Sequence, residues 1–490
     1  MDARTLPNWL KQRATLTPNR IAIETDRESL TFLELHQRVA RMARKLANYG
    51  VKSKDTVAVF MRNSVHYVEI IHALAYLGAK GLLVNTRLTN QEINYQVKDA
   101  SVSLLISDES IMNRSLHMDV AHVTLSELVD FNQKDVQFRD EFRLDEAYTI
   151  MYTSGTTGSP KGVLQTYGNH WWSATGAALN LGLYEQDCWL IAVPLFHISG
   201  FSILMRSVIY GMKVILHEKF DPTAVNDAIE KKGVTIVSVV TSMLTAMIEK
   251  LDHRTYPHSF RCMLLGGGPA PLTLLNHCVN KGIPVYQTYG MTETASQFVT
   301  LSSEDSLRKI GSAGKPLFPC QLKIVDKQGK VVRAGQPGEI IVKGPNVTPG
   351  YFNKPKETKG AIKKGWFYTG DIGQLDHEGF LYVLDRRSDL IISGGENIYP
   401  AEIENVLLKH PAVKEAGVTG MKHEKWGQVP IAFVVITKQV SADELRHHSE
   451  QLLARYKVPL RFTVVDKLPR TASNKIIRKK LLELLEEDDH

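Results

Sequence analysis

Helical and strand patterns alternate along the first 300 residues, and this alternation constrains the fold more than any other feature of the sequence. A helix is predicted after Thr31 and Glu34, which form a capping-box pattern followed by apolar residues at helical spacing. A strand is predicted at Thr56–Met61, and a helix from about Ser64 to Leu77. Repeated units of this kind form parallel sheets covered by helices, so the expected fold class is α/β. Further apolar strand patterns occur at Gly81–Val84, Val234–Val240, Arg261–Leu265 and Ile283–Thr288.

The chain is long enough for several folding units, and its pattern changes twice. With 490 residues, a prior of roughly three domain-sized units applies. After about Gly311, short β runs separated by turn residues replace the strand–helix units. We therefore expect an N-terminal domain over residues 1–385, with a β-rich subdomain at about 311–385. A small α+β domain over residues 386–490 follows a short hinge, and its first helix is predicted to begin at Pro400.

The charge balance argues against a nucleic-acid-binding protein. The chain has 59 basic and 52 acidic residues, a formal net charge of +7, and this small excess is spread along the sequence. It contains no recognisable nucleic-acid motif, so no nucleic-acid partner is expected. A salt-dependent DNA shift assay would distinguish this class from an enzyme.

Several features favour the cytoplasm and disfavour a membrane span. The N-terminus lacks the apolar segment of a signal peptide. The longest uncharged run, Cys188–Met205, contains Pro194 and His197 and is interpreted as buried strand and loop. The four cysteines are far apart and include no CxxC pair, which is typical of a reduced protein without structural zinc.

The densest chemical motif is the segment Thr153–Gly162, which follows a strand pattern. Its glycines allow main-chain amides to turn toward a ligand, its hydroxyl groups are donors, and Lys161 supplies a positive charge. It does not match the Walker A pattern, because Pro160 stands where that pattern needs its second glycine. We interpret the segment as a loop that binds a polyphosphate, with a flexible surface loop as the alternative.

Two more segments follow strands in the same way and could converge on one nucleotide. One contains Gly266–Pro269, which by itself is equally consistent with a tight turn. The other is Tyr289–Thr294, where Tyr289 offers an aromatic face, Thr292 a hydroxyl group and Glu293 an oxygen ligand for Mg²⁺. The alternative for Glu293 is a solvated loop carboxylate. Ligands of open α/β sheets collect at the carboxyl ends of strands, where these segments are expected.

The motifs, in this order, resemble those of the adenylate-forming superfamily, which includes acyl-CoA synthetases, luciferases and nonribosomal-peptide adenylation domains. The resemblance extends from the phosphate loop to Lys475, which lies in a loop before a predicted basic, leucine-rich terminal helix. The segments Pro194–Gly200 and Asp385–Glu402 resemble those of acyl-CoA synthetases in particular. The resemblance implies a large N-terminal domain with a mobile C-terminal domain, and it implies ATP, Mg²⁺ and coenzyme A as cofactor and co-substrates.

The resemblance also implies roles for individual residues around ATP. The phosphate loop would hold the β- and γ-phosphates, a glycine-rich segment would flank adenine, and Thr292 would contact the α-phosphate with Glu293 near Mg²⁺. Asp371 and Arg386 match the ribose-binding positions. The full implied ATP site comprises Thr153, Ser154, Gly155, Thr156, Thr157, Gly158, Lys161, Gly267, Gly268, Pro269, Tyr289, Gly290, Met291, Thr292, Asp371, Arg386 and Lys475.

Further residues are implied for the acyl and thiol chemistry. Lys475 matches the lysine that bridges the carboxylate and the α-phosphate, although alone it would be an ordinary surface lysine. His197 matches the residue that lines the acyl pocket and gates CoA access, although alone it reads as a buried loop histidine. Gly394 and Gly395 match the channel for the pantetheine arm. Ser388 stands at the hinge, where the superfamily commonly has Asp or Lys.

Taken together, the sequence predicts an AMP-forming carboxylate–CoA ligase that binds small molecules. The activated substrate is expected to be an aryl or a short-chain carboxylic acid, and the sequence does not distinguish the two. An adenylation domain that serves a carrier protein is the alternative, although no carrier-like segment follows. The sequence also leaves a homo-oligomer open.

Overall fold

Two large sheets form the body of the protein in the computed structural model. The structure describes residues 4–88, 90–111, 120–153, 160–267, 270–386, 389–393, 396–423, 426–453, 455–471 and 476–485. Helices pack on both large sheets, and their apolar faces join in one extensive core. The α/β class with a large N-terminal and a small C-terminal domain is confirmed.

The first large sheet has seven strands within the described residues, and it carries the candidate phosphate loop. Its strands are parallel except at one edge, where two antiparallel strands are added. In spatial order they are Gly350–Tyr351, Lys161–Thr166, Ala147–Thr153, Lys80–Leu83, Thr56–Phe60, Leu104–Ser107 and Ala121–Thr124.

The second large sheet has nine strands in the described part of the chain, and its central strands are parallel. Antiparallel strands close both edges. In spatial order the strands are Lys315–Pro316, Ser296–Thr300, Val285–Met291, Cys262–Leu265, Ile236–Val239, Cys188–Ile191, Lys213–Leu216, Ile21–Glu24 and Ser29–Thr31.

Three smaller sheets complete the described residues. A two-stranded sheet pairs Thr5–Pro7 with Glu141–Arg143. The β-rich region consists of the antiparallel strands Gln321–Val325, Gly338–Lys343, Trp366–Leu375, Ile362–Lys363 and Leu381–Arg386. The C-terminal sheet consists of Glu396–Ile398, Ile391–Ser393, Gly427–Ile436, Val413–His423 and Phe462–Val464, and it has its own apolar core.

The two helix starts predicted from the sequence are both present. Thr31 accepts a hydrogen bond from the amide of Glu34 (3.2 Å), whose carboxylate accepts one from the amide of Thr31 (2.8 Å), so the predicted capping box is confirmed. The helix predicted at Pro400 is also present. The described α-helices are Trp9–Leu16, Phe32–Tyr49, Val65–Leu77, Asn90–Asp99, Leu125–Asp130, Tyr167–Leu181, Ile198–Tyr210, Pro222–Lys231, Thr241–Leu251, Leu272–Asn280, Pro355–Ala361, Pro400–Leu407 and Ala442–Leu452. Short 3₁₀ turns occur at Glu109–Ile111, Thr292–Thr294, Arg455–Lys457, Arg478–Lys480 and Leu482–Leu485.

Two sequence predictions are wrong in detail. The uncharged run Cys188–Met205 contains a strand and a loop, but its second half forms the start of helix Ile198–Tyr210. The segment after Lys475 was expected to be a helix, yet its described residues form two 3₁₀ turns. Leucines 481, 484 and 485 of this segment pack against the C-terminal sheet, so the apolar pattern reflects packing of the turns and not a helix face.

Among the helices in the described part of the chain, none combines the length and the apolar character that a membrane span needs.

The β-rich region is joined to the nine-stranded sheet through Gly314, which precedes the edge strand Lys315–Pro316. Its carbonyl oxygen accepts a hydrogen bond from the amide of Leu381 (2.8 Å). Gly314 has a φ of +99°, and a Cβ atom there would overlap the main chain of Thr300 and Leu301. Glycine is therefore required by both conformation and space.

We predict that Gly314→Ala destabilises the protein strongly because its Cβ atom would meet immovable main chain. The matched control is Gly335→Ala, where φ is also positive (+80°) but nothing lies within 4 Å of a Cβ. Thermal unfolding should show a midpoint lowered by at least roughly 4 °C for Gly314→Ala. The control should shift by no more than about 2 °C. Equal midpoints for the two variants would contradict the close approach.

Candidate active site

The candidate phosphate loop closes an antiparallel hairpin at the edge of the seven-stranded sheet. Thr153 ends one strand and Lys161 begins the next, and the two residues are direct partners in the register. The hydroxyl of Tyr95 donates a hydrogen bond to the carbonyl of Pro160 (3.2 Å). Both ends of the loop are thus fixed by strand pairing. The loop residues Ser154, Gly155, Thr156, Thr157 and Gly158 lie outside the described residues.

The segment Tyr289–Thr294 differs from the predicted loop. Its strand continues through Met291 because it pairs in antiparallel fashion with Ser296–Thr300, and only then does the 3₁₀ turn Thr292–Thr294 begin. At Gly290, a Cβ atom would overlap the carbonyl group of Ser296. The prediction of a loop at Tyr289–Met291 was wrong because local sequence does not reveal this non-local pairing.

Hydrogen bonds from the seven-stranded sheet, and from the segment that precedes its edge strand Gly350–Tyr351, hold the 3₁₀ turn. The side-chain nitrogen of Gln165 donates to the carbonyl oxygen of Thr292 (2.7 Å). The amide of Thr348 donates to the carbonyl oxygen of Glu293 (2.7 Å). The side-chain nitrogen of Asn346 donates to the carbonyl oxygen of Thr294 (2.9 Å). The turn therefore lies where the two sheets meet, beside the phosphate hairpin.

Tyr351 connects two of the predicted site residues. Its hydroxyl donates to a carboxylate oxygen of Glu293 (3.2 Å), and the ammonium of Lys161 lies 5.3 Å from the centre of its ring. Burial, and then the charge of Glu293, raise the pKa of Tyr351, which therefore stays a protonated donor. The carboxylate of Glu293 is an oxygen ligand of the kind that Mg²⁺ takes alongside substrate phosphates. The donor chemistry at this position thus fits the metal.

A buried hydrogen bond brings the β-rich region to the site. The hydroxyl of Tyr289 donates to a carboxylate oxygen of Asp371 (3.0 Å), and both side chains are buried. Asp371 pairs in the sheet with Arg386, whose side chain is outside the described part of the chain. One oxygen of Asp371 is thus engaged by Tyr289.

Gly267 follows one strand of the nine-stranded sheet, and Tyr289 lies near the end of the neighbouring parallel strand. The strands Cys262–Leu265 and Val285–Met291 pair with Leu265 opposite Gln287. Gly267 and Tyr289 therefore both lie at the carboxyl ends of the parallel strands. Gly268 and Pro269 lie outside the described residues. The position of Gly267 and Tyr289 at the ends of neighbouring strands agrees with the sequence prediction for the segments Gly266–Pro269 and Tyr289–Thr294.

His197 occupies the N-cap of helix Ile198–Tyr210 and is half-buried. Its ring centre lies 4.7 Å from that of Phe196. The hydroxyl of Ser202 on this helix lies 3.2 Å from that of Ser296, the first residue of the strand that follows the turn Thr292–Thr294. His197 is therefore carried by an element that contacts the segment following Thr292.

Several predicted residues of the C-terminal domain lie outside the described residues, namely Lys475, Ser388, Gly394 and Gly395. Their neighbours are described. Arg478 forms ion pairs with Asp389 (3.0 Å) and Glu404 (2.8 Å), so the segment after Lys475 is joined to the segment after the hinge. Arg470 and Ile476, which lie on either side of residues 472–475, form an antiparallel bridge.

Sequence reasoning missed three residues that organise this region: Gln165, Tyr351 and Arg478. Gln165 gave no clear signal, since only Val163 and Leu164 are apolar in its strand Lys161–Thr166. Tyr351 lies 58 positions from Glu293, and Arg478 lies 89 positions from Asp389. No local pattern identifies contacts over such separations.

Comparison with known proteins gives matches over the full chain. The model of the AMP-binding enzyme family matches residues 10–352, and the model of the AMP-binding enzyme C-terminal domain matches residues 402–475. A 2-succinylbenzoate–CoA ligase of Geobacillus sp. (strain WCH70) is 57% identical over 488 residues, which are 99% of each chain.

Solved structures of the o-succinylbenzoate CoA synthetase of Bacillus subtilis are also similar, at 51% identity. The complex with the acyl-adenylate intermediate OSB-AMP has a TM-score of 0.94 and covers 97% of this chain and 98% of the other. The complex with ATP and magnesium ion has a TM-score of 0.93, with 98% and 100% covered. A double mutant bound with the product analogue OSB-NCoA has a TM-score of only 0.78, with 98% of each chain covered.

The two family models match in chain order, and the relatives are similar from end to end. From its fold, its site geometry and these matches, the chain belongs to the AMP-binding enzyme family.

Proposed function

We propose that this chain is an AMP-forming 2-succinylbenzoate–CoA ligase that acts in menaquinone (vitamin K2) biosynthesis. It converts 2-succinylbenzoate, ATP and coenzyme A into 2-succinylbenzoyl-CoA, AMP and pyrophosphate. The observation that carries the proposal is the similarity to the synthetase complexed with OSB-AMP, which has a TM-score of 0.94 and 51% identity over 97% of this chain.

The reaction needs ATP because a carboxylate is a poor acyl donor. In the first step a carboxylate oxygen attacks the α-phosphorus, an O–P bond forms, and the bond to pyrophosphate breaks. In the second step the sulfur of coenzyme A attacks the carbonyl carbon, so a C–S bond forms and AMP leaves. The thiol proton is lost to solvent. The first step brings two anions together, so it depends on compensating positive charge.

We assign that charge to Lys475, to Lys161 and to Mg²⁺. Lys161 and the loop residues 153–158 would hold the β- and γ-phosphates. Mg²⁺, when bound with ATP, would neutralise phosphate charge, and Glu293 would be its protein ligand. The hydrogen bond from Tyr351 to Glu293 supports this assignment, because it orients the carboxylate beside Lys161.

The nucleoside would be held by residues from both the second sheet and the β-rich region. Tyr289 and the segment 267–269 would flank adenine, and Asp371 with Arg386 would bind the ribose. Gly290 and Met291 would belong to the same ATP site. The hydrogen bond from Tyr289 to Asp371 supports this arrangement, because it engages one carboxylate oxygen.

Two half-reactions at one carbonyl require the C-terminal domain, residues 386–490, to move relative to residues 1–385 about Ser388. Lys475 would serve the first pose, and Gly394 and Gly395 the passage of the pantetheine arm in the second. His197 would gate CoA access. The fall in TM-score from 0.94 with OSB-AMP to 0.78 with a product analogue, at equal identity, supports such a rearrangement. The Arg478–Asp389 ion pair would couple the lysine loop to the hinge segment.

We place this reaction in the cytoplasm, because ATP and coenzyme A are available there. The proposed partners are small molecules only, namely the acid, ATP and coenzyme A. A homo-oligomer would be compatible with this function.

The proposed function is tested with a panel of carboxylic acids, each supplied with ATP, Mg²⁺ and coenzyme A. We expect AMP and thioester to form in equal amounts with 2-succinylbenzoate and far more slowly with benzoate, succinate or a fatty acid. Turnover of another aryl or short-chain acid in preference to 2-succinylbenzoate would overturn the substrate assignment while retaining the ligase reaction.

We predict that Lys475→Ala abolishes adenylate formation but spares thioester formation from pre-made acyl-AMP. Only the first half-reaction requires the positive charge between carboxylate and α-phosphate. The loss of pyrophosphate exchange should be about 100-fold or more. The control is Lys467→Ala, an exposed lysine of the same segment, which should leave both half-reactions unchanged. Equal loss of both half-reactions in Lys475→Ala would contradict the assigned role.

We predict that Glu293→Gln raises the Mg²⁺ concentration needed for half-maximal adenylation, by about ten-fold, because an uncharged amide is a weaker ligand than a carboxylate. The measurement is a Mg²⁺ titration of pyrophosphate exchange at saturating ATP. Glu304→Gln, at an exposed carboxylate, serves as the control and should not shift the curve. An unshifted curve for Glu293→Gln would exclude it as the metal ligand.

A further inference from the structure

Gln165 reaches from one large sheet to the other. It lies on the strand Lys161–Thr166, its side chain is completely buried, and its nitrogen donates to the carbonyl oxygen of Thr292 at 2.7 Å. A buried amide is costly unless each of its polar atoms is hydrogen-bonded. The hydrogen bonds that Gln165 makes therefore offset the cost of burying its amide.

The other side of the amide is fixed by a second hydrogen bond. The oxygen of Gln165 accepts from the hydroxyl of Thr149 (3.0 Å), its direct neighbour across the antiparallel pair. The hydroxyl oxygen of Thr149 also lies 3.3 Å from Nε2 of His170. Because the single hydroxyl proton goes to Gln165, His170 must donate from Nε2.

His170 is suited to donate from Nε2 to the hydroxyl oxygen of Thr149 because its imidazole is neutral. Burial, and then the positive charge of Arg206, lower its pKa to about 3. A neutral imidazole carries one N–H group, and here it lies on Nε2. The direction of each hydrogen bond from His170 through Thr149 and Gln165 to Thr292 is thereby set. A rotated amide would place its oxygen against the carbonyl oxygen of Thr292, which is unfavourable.

The turn that receives this hydrogen bond is strained at its end. Ala295 and Ser296 have φ values of +50° and +95°, which residues other than glycine rarely adopt. Such a conformation persists only where surrounding contacts enforce it. Ser173 donates to the carbonyl oxygen of Ala295 (2.6 Å) and restrains the end of the turn, whereas Gln165 restrains its first residue, Thr292.

We propose that Gln165 is a positioning residue for adenylate formation, which holds the main chain of Thr292 so that the Thr292 hydroxyl faces the α-phosphate of ATP. Gln165 itself contacts neither substrate, and Thr149 and His170 fix its amide. This inference rests on the proposed function and adds to it a chain of buried groups that sets the geometry of the first half-reaction.

The test compares two buried amides with the same hydrogen-bonding pattern. Asn226 is also fully buried, donates to a main-chain carbonyl (Met247, 2.9 Å) and accepts from a hydroxyl (Tyr256, 2.8 Å). It lies on helix Pro222–Lys231 and makes no described hydrogen bond to the turn Thr292–Thr294. Gln165→Met and Asn226→Leu each replace an amide by an apolar side chain of similar size, so their costs in stability should be comparable.

Pyrophosphate exchange with 2-succinylbenzoate then separates positioning from stability. We expect Gln165→Met to lower kcat about ten-fold or more. Its KM for ATP should stay within about two-fold, because a contact made mainly in the transition state is lost. Asn226→Leu should keep its kcat at a similar thermal midpoint. An unchanged kcat in Gln165→Met, or an equal fall in both variants, would overturn the inference.

A second pair of variants keeps the inference testable if Gln165→Met does not fold. Thr149→Val removes the hydroxyl that fixes the amide, and Thr149→Ser keeps it. We expect a lowered kcat in Thr149→Val and a kcat close to wild type in Thr149→Ser. Equal rates in the two variants would count against the inference. A wild-type enzyme without exchange for any acid would instead refute the proposed function, on which the inference depends.

Discussion

The hydrogen bond from Gln165 to the carbonyl oxygen of Thr292 joins the two large sheets at the point where the candidate active site lies. The phosphate hairpin belongs to one sheet, and the segment from Tyr289 to Glu293 to the other. Neither sheet alone presents both groups. The amide of Thr348 donates to Glu293 across the same junction. Buried hydrogen bonds are costly to leave unmade. These contacts therefore hold the two sheets in a defined relative position, so that the phosphate hairpin and the segment from Tyr289 to Glu293 form one site.

Electrostatics at this junction explains how a nearly neutral chain handles polyanionic substrates. The formal net charge is only +7, so affinity for ATP must come from a few well-placed groups and from the metal. Tyr351 connects two of them, since its ring lies against Lys161 and its hydroxyl donates to Glu293. One neutral side chain thereby contacts both a cation and an anion of the candidate site. In the proposed mechanism Lys161 binds the phosphates and Glu293 the metal.

The parts of the structure that local sequence determines were predictable, and those set by distant pairing were not. The capping box at Thr31 and the helix start at Pro400 are local, and both were predicted correctly. The strand that continues to Met291 depends on pairing with a later segment, and it was predicted as a loop. Gln165 is 127 positions from Thr292, so no motif reveals their contact. Family resemblance supplied candidate residues at the site, whereas the residues that orient them emerged only from the three-dimensional contacts.

The proposed reaction requires this chain to form an acyl-adenylate from 2-succinylbenzoate as a discrete intermediate. The most direct measurement mixes a stoichiometric amount of enzyme with 2-succinylbenzoate and Mg·ATP without coenzyme A, then analyses the quenched mixture by mass spectrometry. We expect 2-succinylbenzoyl-AMP in an amount close to that of the enzyme, converted to thioester within one turnover when coenzyme A is added. ADP and phosphate as products, or thioester formed without any adenylate, would contradict this reaction.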